Sequence, residues 1–271
     1  MKLKKVFLGA MALLATVTLA ACSSSSNKSL QDNIVQKGKL VVAISPDYAP
    51  FEFKALVNGK DTIVGADVEL AQAIADELGV KLELSSMSFD NVLSSLQTGK
   101  ADIAISGLSY TKDRAKVYDF SDAYYKTENA ILVKTSDVNT YSSLDNLAGQ
   151  KVAVLKGAIE EGLAKKQLTS SNIVSLTAMG EAINELKSGQ VQAVDLEKPV
   201  AEGYLAQNPD LSLANMALKT GEGDAKAVAM PKDSGKLVDT VNKVIKKLAK
   251  EDKYKQFISD AAQLTNKAID K

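Results

Sequence analysis

A short stretch of the chain, residues 101–114, gathers side chains that recognise a carboxylate. It reads ADIAISGLSYTKDR, and its second half holds small hydroxyl side chains, a glycine and Arg114. A guanidinium group binds a carboxylate through two parallel hydrogen bonds, and nearby hydroxyl and backbone N–H groups add further donors. The stretch is therefore a candidate anion-binding segment. The alternative is that Ser109 or Thr111 caps a short helix whose solvated face carries Arg114.

The elements around this stretch predict how it is positioned. Its apolar first half, residues 101–106, predicts a strand, as do residues 39–45 and 80–84. Helices are predicted over residues 65–78 and 89–97. This βαβαβ order is typical of a parallel sheet covered by helices, in which the residues after each strand's C-terminal end line a ligand crevice.

A second α/β series follows the first without repeating its sequence. Its predicted strands cover residues 129–134, 151–155, 173–176 and 192–196, and its predicted helices cover 160–167, 179–187 and 199–206. A strand over 225–230 and a helical tail over 236–271 complete the pattern. Two such series predict two lobes, and a cleft between lobes is where small ligands bind.

The N-terminus predicts export and attachment to a membrane surface. Three lysines precede an apolar run over residues 6–21, which is typical of a signal peptide. The run ends in LAAC at residues 19–22, which resembles the lipobox of bacterial lipoproteins. We therefore expect a signal peptide over 1–21, lipidation of Cys22 and a polar tether over 22–29. The alternative is that Cys22 is a buried structural cysteine.

The composition excludes several classes of chemistry. The 271 residues include no histidine and a single cysteine, Cys22. Nucleophilic triads that need histidine are therefore excluded, and no disulfide can form within the chain. We predict no cofactor and no metal site, because a metal would need an all-oxygen site and no calcium-loop spacing is present. Removal of the signal peptide leaves 30 basic and 33 acidic residues, so the charge gives no reason to bind nucleic acid.

Five motifs, in matching order and spacing, resemble the family-3 bacterial extracellular solute-binding proteins, the receptors of polar amino acid ABC importers. They are YAPFE at 48–52, GADVEL at 65–70, SGLSYTKDR at 106–114, LDNLAG at 144–149 and GQVQA at 189–193. Ala66 departs from the pattern, since a larger apolar residue is usual there. The resemblance covers nearly the whole mature chain.

The resemblance implies an α/β fold of the periplasmic-binding-protein type (type II). Each of its two lobes is a mostly parallel sheet flanked by helices, and two hinge strands join them. Lobe 1 would comprise residues 30–131 and 226–271, and lobe 2 residues 132–225. The resemblance also implies a monomeric receptor, not an enzyme, held by its lipid on the outer face of the cell membrane. It would close around a free amino acid and deliver it to a membrane permease.

By the family's pattern, Arg114 clamps the ligand α-carboxylate, and Glu197 anchors the α-ammonium, with Asp195 as the alternative. The other implied contacts are Tyr48 and Phe89 as aromatic walls, with Glu52, Ser106, Gly107 and Ser109 from lobe 1 and Ala158, Ile159 and Glu160 from lobe 2. The lobe 2 loop departs from the family, which usually carries small hydroxyls and an amide there.

The acidic residues near these positions favour a cationic ligand. Asp47, Glu52 and Glu160 exceed what the α-ammonium needs, and two aromatic faces suit a planar cation. We therefore expect arginine first, then lysine, then glutamine. Against this, Ser45 stands where receptors of basic amino acids in the family often carry an aspartate, and the alternative for Asp47 and Glu52 is a structural role. The alternatives are a receptor for glutamine or another polar amino acid, an enzyme resembling cyclohexadienyl dehydratase, and an adhesin or signalling module.

Overall fold

The computed structural model of the protein describes residues 28–220 and 225–265. The predicted signal peptide and Cys22 lie outside the described residues. The strands are β1 (Lys39–Ile44), β2 (Asp47–Tyr48), β3 (Glu52–Val57), β4 (Lys60–Val64), β5 (Lys81–Ser86), β6 (Ile103–Ala104), β7 (Tyr118–Phe120), β8 (Tyr125–Lys126), β9 (Asn129–Lys134), β10 (Lys151–Leu155), β11 (Asn172–Leu176), β12 (Ala193–Glu197), β13 (Leu211–Leu213), β14 (Ala225–Lys226) and β15 (Ala229–Pro231). The helices are α1 (Leu30–Lys37), α2 (Ala66–Leu78), α3 (Phe89–Gln97), α4 (Lys112–Ala115), α5 (Ile159–Gln167), α6 (Met179–Ser188), α7 (Lys198–Leu205), α8 (Gly235–Lys250) and α9 (Lys253–Leu264).

Two five-stranded sheets define the two lobes. The first has the order β5-β1-β6-β15-β7, and the second has the order β11-β10-β12-β9-β13. In each sheet three neighbouring strands are parallel and a returning strand, β15 or β9, pairs antiparallel with its neighbours. The predicted α/β fold with two mostly parallel sheets is confirmed. Ligand crevices in such sheets lie at the C-terminal strand ends, so β1, β6, β10 and β12 bring the site residues together.

A two-stranded ribbon of β8 and β14 lies where the chain crosses between the sheets. The predicted strand over 225–230 is therefore two short strands, of which β15 belongs to the first sheet. Residues 129–131, assigned to lobe 1 by the sequence, pair within the second sheet as part of β9. The exact lobe limits stay a prediction.

The C-terminal helical tail is two helices that meet at Asp252, whose backbone is left-handed at φ 49°. The apolar face of α8 is buried against the first lobe, as its period of 3.6 residues predicts. Helix α1 was not predicted. It begins with a capping box between Ser29 and Asp32 and ends at Gly38, a left-handed glycine. Among the described residues, no helix combines the length and apolarity needed to cross a membrane.

The N-terminus of α2 is held by backbone hydrogen bonds to the two residues before β3. The backbone N–H groups of Ala66 and Asp67 donate to the carbonyls of Pro50 and Phe51, at 3.0 and 2.9 Å. Gly65, the residue just before Ala66, has φ 136°, and a Cβ atom there would be 2.1 Å from the Phe51 oxygen. Only glycine fits this backbone, and the close approach sets the position of Asp67 behind the cleft.

Gly65→Ala is expected to lower the free energy of unfolding by about 2–5 kcal/mol, because a strained backbone and a backbone clash act together. Gly79→Ala is the matched control, since Gly79 ends the same helix with φ 67° and open space around it. It should cost only about 1 kcal/mol. Urea denaturation measures both, and equal losses would contradict the role given to the close approach at Gly65.

Candidate ligand-binding cleft

The predicted site residues converge in a cleft between the two lobes. Arg114 from lobe 1 and Glu160 and Glu197 from lobe 2 supply its charged side chains. The full lining is Tyr48, Phe89, Gly107, Ser109, Arg114, Leu155, Ala158, Ile159, Glu160 and Glu197. All the predicted ligand-binding residues except Glu52 and Ser106 are in this lining, which also includes Leu155, a residue that was not predicted.

Arg114 joins the two lobes through its guanidinium group. Its Nη1 donates to the Ser109 carbonyl at 2.6 Å, and its Nη2 donates to the Gly157 carbonyl of lobe 2 at 2.8 Å. The Thr111 hydroxyl caps α4 by accepting from the Arg114 N–H, as the alternative interpretation of this stretch predicts. Arg114 also lines the cleft, and its binding of a carboxylate stays a prediction. Burial lowers the pKa of Arg114, and the charges of Glu160 and Glu197 oppose that shift. Arg114 is also the only arginine in the sequence.

A buried aspartate holds the loop after β6. The Gly107 N–H donates to Asp67 Oδ2 at 2.6 Å, and the hydroxyls of Tyr124 and Tyr254 donate to the same carboxylate at 3.0 and 2.6 Å. Gly107 has φ 51° and lies against the Tyr48 ring. Sequence reasoning gave Asp67 no part in the site, although the GADVEL motif marked its position.

Glu52 and Ser106 are not in the cleft lining but lie behind it, and their contact with a ligand stays a prediction. The Ser106 hydroxyl donates to Glu52 Oε1 at 2.7 Å and accepts from the Ser45 N–H at 3.0 Å. Both side chains are fully buried. Burial raises the pKa of Glu52 well above its usual value, and the nearby Asp67 charge adds to the shift. Glu52 is therefore a supporting group, not a free carboxylate for a cation.

Asp47 also lies outside the lining, where the sequence suggested a pocket carboxylate. Its Oδ2 accepts from the Met179 N–H at 2.7 Å, across the gap between the lobes. Met179 begins α6, whose own N-cap residue, Ala178, has no side chain able to accept a hydrogen bond. Asp47 of lobe 1 therefore caps a helix of lobe 2, so this contact exists only while the lobes are close.

The lobe 2 side of the cleft is the first turn of α5 and the end of β12. Ala158 is the N-cap residue of α5, Ile159 begins the helix and Glu160 is buried in its first turn. A carboxylate in the first turn of a helix is favoured by the helix dipole. Lys156 beside this turn pairs with Asp90 of lobe 1 at 2.8 Å, which is another contact between the lobes.

Glu197 ends β12 and forms a buried ion pair with Lys226 of β14. The lysine ammonium also donates to the Ser109 hydroxyl at 2.7 Å, and Lys226 has no exposed surface. Sequence reasoning missed Lys226. The signal was a lysine inside the apolar run AKAVAM at 225–230. Asp195, the alternative to Glu197, is buried two residues earlier on the same strand and is not in the lining.

The cleft is narrow, with a cavity of about 10 Å³. That volume is close to what one water molecule needs, so an amino acid enters only when the lobes separate. Larger cavities lie elsewhere, including one of about 370 Å³ beside Tyr124 and Tyr254. The narrow cleft is the better candidate, because a cation and two carboxylates from opposite lobes converge there.

The comparisons with known proteins agree with this geometry. Residues 40–260 match the family model described as bacterial extracellular solute-binding proteins, family 3. The arginine-binding extracellular protein ArtP of Bacillus subtilis (strain 168) is 35% identical, over 91% of this chain and 93% of that protein. An amino acid ABC transporter substrate-binding protein from Streptococcus pneumoniae, solved bound to L-arginine, is 52% identical over 88% of this chain and 99% of that chain, with a TM-score of 0.86. The ancestral amino acid-binding protein AncCDT-1, a precursor of cyclohexadienyl dehydratase, is 33% identical over 86% of this chain and 99% of that chain, with a TM-score of 0.78.

The raised pKa of Glu52 predicts how stability depends on pH. Above pH 4.5, which is the ordinary pKa of a glutamate, the folded protein still holds the Glu52 proton, whereas the unfolded chain has released it. The contribution of Glu52 to stability is therefore full below that value and is lost as the pH rises through the folded pKa. Glu52→Gln keeps a neutral side chain, so the free energy of unfolding of the variant minus that of the wild type should grow as the pH rises from about 4.5.

Urea denaturation between pH 4 and pH 8 measures this difference. The control is Glu83→Gln, because Glu83 is an exposed glutamate of β5 that pairs with Lys39 on the surface. A difference between Glu52→Gln and the wild type that stays constant with pH would contradict the raised pKa.

Proposed function

This chain belongs to the bacterial extracellular solute-binding proteins of family 3, and on that premise we propose that it is the amino acid-binding receptor of an ABC importer, with arginine as its preferred ligand. The observation that carries the proposal is the convergence of Arg114 from one lobe with Glu160 and Glu197 from the other in one cleft. An amino acid carries a carboxylate and an ammonium, and both need partners once the closed cleft excludes water.

The proposal assigns a role to each part of the cleft. Arg114 binds the α-carboxylate, taking it in place of the Gly157 carbonyl, and the loop at Gly107 and Ser109 adds donors. Glu197 binds the α-ammonium, in preference to Asp195, since only Glu197 is in the lining. Because the two anchors lie on different lobes, a bound amino acid bridges them and favours the closed state.

Arginine is proposed over other amino acids for three reasons. Glu160 is a second buried carboxylate of the lining, beyond the one that the α-ammonium needs. Tyr48 and Phe89 supply ring faces against which a planar guanidinium can stack. A relative named as arginine-binding is 35% identical to this chain, and a substrate-binding protein solved with L-arginine bound is 52% identical. The enzyme alternative has less support, because the relatives compared are binding proteins.

The proposed location is the outer face of the cell membrane. The family consists of extracellular proteins, and the LAAC motif at 19–22 supports attachment through a lipid on Cys22. Two acyl chains are sufficient for stable attachment to a membrane. We propose that a monomeric receptor on this anchor passes its ligand to the membrane permease.

Isothermal calorimetry with the twenty amino acids tests the proposed function. We expect L-arginine to bind most tightly, followed by lysine and then glutamine. Arg114→Ala should weaken binding by roughly thirty-fold to several thousand-fold, because it leaves the ligand carboxylate unpaired in a closed cleft. The matched control is Lys112→Ala, which removes an exposed cation from the same short helix.

The control should bind arginine as the wild type does. Binding of glutamine but not arginine would reject the preference for a cation and keep the receptor assignment. Binding of no amino acid would reject the proposed function, and a change of less than about threefold in Arg114→Ala would reject Arg114 as the anchor.

Cys22→Ala tests the proposed anchor. The variant should fold normally, but it should appear in the culture medium or as uncleaved precursor, since no lipid can be attached at residue 22. Cell fractionation and immunoblotting show where the protein is. A variant that is processed and stays with the membrane like the wild type would show that the lipobox interpretation is wrong.

A further inference from the structure

Lys226 is buried next to two residues of the cleft lining, although the proposed recognition of an amino acid does not require a second cation there. It lies in β14, the ribbon strand between the lobes, and has no exposed surface. Its ammonium contacts Ser109 of lobe 1 and Glu197 of lobe 2. Burial of an ammonium costs free energy unless it is paired, so a fully buried lysine at this position is unusual.

The two oxygens of the Glu197 carboxylate have different surroundings. Oε1 accepts from Lys226, whereas Oε2 is buried and accepts no hydrogen bond from any described residue. Glu197 is also part of the cleft lining. Lys226 therefore occupies one oxygen of the carboxylate and leaves the other for a donor that arrives in the cleft.

We propose that Lys226 is a positioning residue of the ligand site, which holds Oε1 of Glu197 so that Oε2 receives the ammonium of an amino acid. This inference rests on the proposed function. A buried charged group is costly unless it is paired and hydrogen-bonded. Lys226 pairs with the Glu197 carboxylate from within the protein and holds its orientation before any ligand arrives.

Other groups face Glu197 from the elements packed around it, and they do not replace Lys226. Arg114 is a cation, but its two Nη atoms donate to backbone carbonyls. Glu160 carries the same charge as Glu197, and the Tyr48 hydroxyl is a hydrogen-bond donor to Glu197 but carries no charge. The ionisable groups that face or interact with Glu197 are Lys226, Arg114, Glu160, Tyr48, Tyr124 and Tyr125.

A competing role for Lys226, in which its ammonium occupies the ligand's place and must be displaced, fits the contacts less well. The ammonium donates to the Ser109 hydroxyl and to Glu197 Oε1, so its displacement would break both of these buried contacts. A displaced ammonium would leave two buried partners. The two roles predict opposite effects of removing the charge, which makes them separable.

The experiment is calorimetric titration of L-arginine into the wild type, Lys226→Met and Lys226→Arg at pH 7. Methionine keeps the length of the side chain without its charge. Lys226→Met should bind at least about tenfold more weakly. Lys226→Arg keeps the cation and should restore part of the affinity.

A double-mutant cycle with Glu197→Gln separates positioning from a structural role and also serves if Lys226→Met folds poorly. In the Glu197→Gln background, Lys226→Met should cause little further loss, because no carboxylate remains to be held. A further loss as large as in the wild-type background would overturn the inference.

The remaining outcomes are also decisive. Unchanged or tighter binding of arginine by Lys226→Met would overturn the inference while leaving the receptor function intact. A wild type that binds none of the twenty amino acids would overturn the proposed function, and the positioning role with it.

Discussion

Charged groups from two lobes share one small, buried volume, and the rest of the structure depends on how those charges are paired. Arg114 contacts backbone carbonyls on both sides of the gap, while Glu197 is paired with Lys226 of the ribbon. Unpaired charges are costly away from water, so the cleft is stable only when its cations and carboxylates match. The zwitterionic part of an amino acid adds one charge of each sign, and the additional cation of arginine, the proposed ligand, would face Glu160.

The first lobe contains a second buried layer that supports the cleft without lining it. Asp67 accepts hydrogen bonds from the N–H of Gly107 and from the hydroxyls of Tyr124 and Tyr254. The loop after β6, the segment before β8 and helix α9 therefore meet at one carboxylate. Glu52 holds Ser106 next to this group. Since buried polar groups are expensive unless satisfied, this network favours one arrangement of the loop over others.

The closed state is also stabilised by contacts between the lobes that involve no ligand. Asp47 caps α6 from the opposite lobe, and Lys156 pairs with Asp90. Such contacts lower the free energy of closure that a ligand must supply, and each is too weak alone to keep the lobes together. Residues outside the cleft lining therefore contribute to the stability of the closed state.

The sequence by itself determined the features that arise from local patterns. Apolar periodicity placed α2, α3, β1, β9 and β10 within a few residues. The residue types around Arg114 marked one side of the cleft, and the resemblance to the family marked Glu197 on the other. Tertiary structure alone decided the partners of those groups. Lys226 lies 29 residues beyond Glu197, and Asp47 lies more than a hundred residues before the helix that it caps. Glu52 and Asp47 looked like cleft carboxylates, because side-chain type does not show which way a strand end faces. Periodicity describes contacts between neighbours in the chain, whereas ion pairs and caps between lobes depend on how two separately folded sheets meet, which no local pattern encodes.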